Sequence, residues 1–147
     1  MMRPKFLLIL LPALLLSVGV RAQSRPLSEV ASHLATDRIS LHYDCIFTGD
    51  APVRLSGTLL VQGTCYRAVG NGLEIYCDGQ SRWTVDPESR EVYIEATEGL
   101  EELMAWRDSL TELTLTDVRY SPQSGDLSPF VFDTAGLDGA WVVTDLR

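Results

Sequence analysis

The sequence predicts a mainly β protein: one strongly curved antiparallel sheet, with two short amphipathic helices lying over its apolar face. Three observations predict this. Residues 39–47 alternate, with Ile39, Leu41, Tyr43, Cys45 and Phe47 on one side and Ser40, His42, Asp44 and Ile46 on the other. Two turn pairs, Asn71-Gly72 and Asp78-Gly79, separate short apolar runs at hairpin spacing. Helical periodicity is confined to two segments, 26–35 and 98–110.

The chain opens with Met1-Met2-Arg3-Pro4-Lys5, then the apolar run FLLILLPALLLSVGV, then Val20-Arg21-Ala22. A basic start, an apolar middle and a small-residue end make residues 1–22 read as a signal peptide cleaved after Ala22. The run is short and broken by proline, which disfavours a permanent span. A single domain is expected over 23–147. Losing Arg3, Lys5 and Arg21 takes the formal charge from −8 to −11. Such a surface repels nucleic acid and anionic headgroups.

Each element has a local reason. Residues 26–35 place Leu27, Val30, Ala31 and Leu34 on one helical face, with Ser28 as the expected cap. After strand 39–47, Asp50-Ala51-Pro52 turns the chain, and Val53, Leu55, Leu59 and Val61 continue the apolar side, with Gly57 as a candidate bulge. A two-residue Asn71-Gly72 turn pairs Tyr66 with Cys77 and Ala68 with Ile75. A three-residue loop would instead set Cys65 opposite Cys77, and the apolar matching favours the first. For Asp78-Gly79, apolar matching favours Leu73 opposite Val85 and Ile75 opposite Trp83. A tight turn at Pro87 then sets Trp83 opposite Val92. These registers make Trp83 the central panel of the same apolar face as Ile75 and Val92. Residues 98–110, EGLEELMAWRDSL, form the second helix, capped by Thr97 and striped by Leu100, Leu103, Met104 and Leu110. Strands resume at about 113–120, 127–133 and 140–146.

The residue types argue against catalysis. His33 and His42 are the only histidines, and neither sits at metal-ligand spacing from a cysteine or carboxylate. No nucleophile elbow, phosphate loop or dinucleotide fingerprint occurs. No catalytic residue, cofactor or metal is expected. Cys45, Cys65 and Cys77 read first as small buried hydrophobes, with a Cys65–Cys77 bridge as the alternative. An apolar face between sheet and helices is either a filled core or a hydrophobic pocket.

The order of several stretches resembles the outer-membrane lipoprotein carrier (LolA-like) family of periplasmic chaperones, as a short divergent member. An N-terminal helix leads into Phe47-Thr48. Gly57-Thr58-Leu59 and an aromatic at Tyr66 follow. Asp78-Gly79-Gln80-Ser81-Arg82-Trp83 is similar to the family's D-G-x-x-x-W motif, and a turn and Glu91-Val92-Tyr93-Ile94 come next. Phe130-Val131-Phe132-Asp133 and Val143-Thr144-Asp145-Leu146-Arg147 look like the closing strand of divergent members. The resemblance implies an incomplete β-barrel covered by a helical lid, with an apolar cavity for lipoprotein acyl chains. It also implies a periplasmic location and transfer partners at the inner and outer membranes. The family's Arg-Pro step reads Gln62-Gly63-Thr64-Cys65 here, and the chain beyond residue 96 is short.

The expected pocket walls are Leu41, Tyr43, Phe47, Leu59, Ile75, Trp83, Val92 and Ile94. Leu103 and Met104 are expected on the underside of the lid helix. The first reading is therefore a periplasmic carrier of acyl chains of lipoproteins or lipids. The second is an exported, non-enzymatic structural or protein-binding domain with a filled core. The export reading predicts that N-terminal sequencing of the secreted product starts at Gln23. A membrane-integral product that retains Met1 refutes it.

Overall fold

The structure is a computed structural model that describes residues 25–97 and 110–147. Helix α1 spans Leu27–Ser32. The strands are β1 (Asp37–Phe47), β2 (Val53–Gln62), β3 (Cys65–Gly70), β4 (Leu73–Cys77), β5 (Ser81–Asp86), β6 (Glu91–Ala96), β7 (Leu110–Pro122) and β8 (Val142–Asp145). They form one sheet in the order β7-β1-β2-β3-β4-β5-β6-β8, open at β7 and β8. Every neighbouring pair is antiparallel except β6 and β8, which run parallel. The mainly β expectation is met, while the wholly antiparallel one is corrected at this edge. The expected 98–110 helix lies outside the described residues except for Leu110, which opens β7.

The β3–β4 hairpin has the expected register, Tyr66 opposite Cys77 and Ala68 opposite Ile75. Asn71 takes φ 54° and Gly72 φ 77°, the left-handed pair that a two-residue turn of this type needs. Cys65 and Cys77 therefore point to opposite sides of the sheet, and Cys45, Cys65 and Cys77 are free and buried.

The next two hairpins depart from expectation, for one reason. Asp78 Oδ1 accepts hydrogen bonds from the amides of Gln80 (2.9 Å) and Ser81 (2.8 Å). Gly79 takes φ 91° and its amide donates to Cys77 Sγ. This side-chain turn holds residues 78–81 as the loop and pairs Cys77 with Arg82, Tyr76 with Trp83 and Ile75 with Thr84. The register is one residue away from the expected one. A one-residue slip moves every side chain to the other face. Trp83 thus joins Tyr76 rather than Ile75. At the following turn Asp86 Oδ1 accepts from the amides of Glu88 and Ser89. Trp83 pairs with Ile94 and Val85 with Val92. That slip is two residues, so Trp83 and Val92 keep a common face although they are not opposite.

One sheet consequently carries two cores. Val30, Ile39, Leu41, Val61, Tyr66, Cys77 and Leu115 form the first, on the side covered by Val30 of α1 and by Leu34 of the turn that follows it. Tyr76, Trp83, Val85, Val92 and Ile94 form the second, on the reverse side, with Phe132, Leu137 and Trp141 packed on it. Strand β4 is the pivot, because Tyr76 and Cys77 are both buried but face opposite ways.

The reverse side is covered by the chain between β7 and β8. Residues 127–133 were expected to be a strand. They instead contain a 3-10 turn, Ser128–Phe130, and a second follows at Thr134–Gly136. Pro129 removes an amide within that segment, and Phe130 is wholly buried. The strap is tied down at its start. Arg38 donates to the carbonyls of Ser124 and Asp126, and Gln62 exchanges hydrogen bonds with the backbone of Ser124. Arg38 then lies over the Phe130 ring, 5.1 Å from its centroid. The Phe132 ring meets Tyr76 at 5.4 Å. Leu137 and Trp141 reach the Trp83 cluster before the chain joins β6 as β8.

Two smaller expectations are also corrected. Ser28 does not cap α1; Pro26 occupies the N-cap position without a side-chain hydrogen bond. Gly57 marks no bulge in β2. It pairs with Gly70 of β3, and a Cβ on either glycine would fall about 2 Å from a backbone oxygen of the other strand (2.0 Å and 2.2 Å). The pair of glycines lets β2 and β3 cross at close range.

The acidic residues serve this architecture. Besides Asp78 and Asp86, Asp126, Asp133, Asp138 and Asp145 each accept a backbone amide two residues ahead. Backbone and side-chain bonds from Ser89 hold the Asp86 carboxyl below its ordinary range, and bonds from Ser128 do so for Asp126. Asp145 goes down to about 2, chiefly through its bonds with Arg147. Folded values below the unfolded one (about 3.9) mean that the contribution is complete above that pH. It fades as pH falls toward the folded values. The denaturant midpoint is therefore expected to drop between about pH 4 and about pH 2, and Asp145→Asn to shrink that drop. An identical drop in the variant would show that Asp145 contributes nothing to acid sensitivity.

Candidate hydrophobic site on the sheet face beneath helix α1

The two faces decide which residues can form a site. Strand β1 twists along β2 with Leu41 opposite Leu59, Tyr43 opposite Gly57 and Phe47 opposite Val53. The row continues from Leu59 through Ala68 to Ile75. Leu41, Tyr43, Phe47, Leu59 and Ile75 therefore share the α1 side, as expected. Leu41 is buried, while Tyr43, Leu59 and Ile75 are half-buried and pack on the first core. Trp83, Val92 and Ile94 were expected beside them. They lie on the reverse side under the strap, and the Asp78 loop is the physical reason. Leu103 and Met104 lie outside the described residues.

Sequence reasoning missed the part contributed by β7. Tyr43 pairs with Leu115 and Cys45 with Leu113, so both leucines enter the α1 side. Val118 and Tyr120 pack there too. The alternation Leu113, Leu115 was visible in the sequence. What was not visible is that β7 pairs with β1, on the far side of the sheet from β6.

Where α1 meets β7, a cleft of about 270 Å³ opens, lined by Arg25, Pro26 and Leu27 on one side and Leu110 to Leu113 and Leu115 on the other. The Arg25 amide donates to the Leu115 carbonyl at 2.8 Å and fixes the start of α1 against β7. The Arg25 guanidinium pairs with Glu29 at 3.2 Å. Nearby, His33 stacks on Tyr120 with ring centroids 3.7 Å apart, and its Nδ1–H donates to Asp37 at 2.6 Å. Among the described residues the buried Tyr120 hydroxyl has no hydrogen-bond partner.

The residues of this face and cleft are mainly apolar. Burial pushes the thiols of Cys45, Cys65 and Cys77 up, which disfavours the nucleophilic thiolate. His42 stands on the polar reverse side, 3.1 Å from Asp117. Among the described residues, no group of three histidine, cysteine or carboxylate side chains is placed to hold a metal ion. Comparison with protein-family models and with curated protein sequences finds no match to this chain.

The second core sets a stability expectation. Trp83 is 8% exposed against Val92, Ile94 and the strap. Trp83→Ala should cost about 3–5 kcal/mol, read as a lower denaturant midpoint. A midpoint equal to that of the parent would place the ring in solvent and contradict the two-core arrangement.

Proposed function

We propose that the protein is a periplasmic carrier of hydrophobic cargo, and that it holds acyl chains of lipoproteins or lipids on the α1 side of its sheet. The observation that carries this reading is the run of half-buried apolar side chains, Tyr43, Leu59, Ile75, Leu113 and Val118, leading to an open cleft. Large apolar groups that are neither fully packed nor exposed are what an alkyl chain can cover. The order of the Gly57-Thr58-Leu59, Tyr66 and Asp78–Trp83 stretches, which resembles lipoprotein carriers, agrees with it, as does the signal-like segment 1–22. Delivery would require an acceptor at the outer membrane and a donor at the inner membrane. The protein carries out no bond-making step in this reading.

The size of the cleft favours a second reading. At about 270 Å³ it falls at the bottom of the usual range for ligand sites, roughly 300–1,000 Å³. An exported domain with a filled core, acting through protein contacts, would need no larger space.

Titration of the purified protein with a fluorescent long-chain fatty acid separates the two. The carrier reading expects saturable binding, weakened about tenfold or more by Leu113→Glu, since a carboxylate would be forced against apolar walls. Circular dichroism checks that the variant folds. Absence of binding by the folded parent, or equal binding by the folded variant, rejects the carrier and leaves the filled-core domain.

A further inference from the structure

The two edges of the sheet are treated differently. An edge strand presents unpaired amides and carbonyls, and proteins that stay apart blunt such edges with charges, prolines and bulges. Strand β7 is blunted in all three ways. It carries Glu112, Asp117 and Arg119, it ends at Pro122, and its pairing with β1 shifts register twice. Asp117 sits at φ 50°, and the Leu115 carbonyl is already taken by the Arg25 amide.

Strand β8 carries no proline and no register shift within its span, and its one charged residue, Asp145, is paired with Arg147. Val142 and Leu146 are 58% and 60% exposed, the highest among the exposed large hydrophobics of the described residues, and Val143 is 43% exposed. The amides of Val142 and Leu146 point inward, to the carbonyls of Arg90 and Ile94. Backbone direction alternates along a strand, so the amides of Trp141, Val143, Asp145 and Arg147 point outward. Two of these are already used. The Trp141 amide donates to the Asp138 carbonyl, and the Arg147 amide to Asp145 Oδ1. Among the described residues, Val143 and Asp145 remain the open donors of this edge.

We propose that β8 is a homodimer edge, where a second copy of this chain pairs antiparallel about a two-fold axis through Thr144. That register sets Val143 opposite Asp145 of the second copy, and the converse, so both open donors are used twice. It sets Val142 against Leu146 of the second copy, on the same side as Tyr93, which is itself 40% exposed. The neighbouring registers fail. An axis at Asp145 opposes two carboxylates and draws on the occupied Arg147 amide. An axis at Val143 pairs Asp145 with the occupied Trp141 amide. Charge agrees with the Thr144 axis: Asp145, the one acidic residue of β8, is neutralised within its own chain by Arg147 at 2.7 Å and faces a valine. The strand is four residues long, so the buried area is well short of the roughly 1,200–2,000 Å² of stable complexes. The dimer is weak and depends on concentration.

Sedimentation of the purified protein over a wide concentration range, with cysteine cross-linking, tests this. Two Thr144 Cα atoms across such an axis form a non-hydrogen-bonded pair about 4.5 Å apart, within the roughly 4.4–6.8 Å that a disulfide spans. The expected results are a reversible monomer–dimer equilibrium and a covalent dimer from Thr144→Cys under mild oxidation, with little from Thr114→Cys on the β7 edge. Val143→Pro, which deletes an outward amide, should weaken the dimer by about tenfold or more. A protein that stays monomeric at every concentration overturns the proposal. So does a Thr144→Cys protein that cross-links no better than Thr114→Cys. The cross-link decides the matter even where Val143→Pro fails to fold.

Discussion

Two hydrogen bonds from one carboxylate set the plan of this molecule. Asp78 Oδ1 holds the amides of Gln80 and Ser81, and the loop it closes is one residue longer than apolar matching alone would choose. Side chains alternate across a strand, so an odd change in loop length exchanges the two faces of every strand beyond it. Before the loop, Ile39, Leu41, Val61, Tyr66 and Cys77 face α1. After it, Trp83, Val85, Val92 and Ile94 face the other way. The Asp78-Gly79-Gln80-Ser81-Arg82-Trp83 stretch is thus a structural device first: an aspartate that sizes the loop, a glycine at φ 91°, and the tryptophan whose face the loop selects.

Two apolar faces need two covers, and the path of the chain follows from that need. Helix α1 supplies Val30 to the first, and Leu34 of the turn after it joins there. The second is closed by residues 123–141, which run from Arg38 and Gln62 across Phe130 and Phe132 to Trp141. Between Phe130 and Trp141 the backbone bonds of this strap are local turns, so side-chain burial holds it in place. Crossing the sheet this way delivers β8 to β6 from the opposite edge, which makes that pairing parallel. A parallel neighbour cannot be reached by a hairpin and needs such a crossover.

The acidity of the chain has a use inside the fold. Six aspartates bind their own turns, and further carboxylates meet arginines, as Asp44 does with Arg54 and Glu95 with Arg82. The negative surface and the turn chemistry are one feature. A net negative surface disfavours close approach of copies of the chain.

Strand alternation, the Asn71-Gly72 turn and the short N-terminal helix were legible in the sequence, because each rests on neighbours a few residues apart. So was the common face of Leu41, Tyr43, Leu59 and Ile75, which follows from one alternating strand and one well-specified hairpin. The sequence favoured buried cysteines over a Cys65–Cys77 bridge, and the β3–β4 register decided it by turning the two side chains to opposite faces. The position of Trp83 was not legible: apolar matching set Ile75 opposite Trp83, whereas the structure pairs Ile75 with Thr84 and Tyr76 with Trp83, a difference made by the geometry of an aspartate side chain. The strand expected at 127–133 failed because its apolar residues cover a face instead of pairing. The contributions of Leu113 and Leu115, the crossing of the Gly57–Gly70 pair and the parallel β6–β8 edge depend on contacts distant along the chain. No local pattern records such contacts, because they are chosen by which faces still need burial once the hairpins have formed.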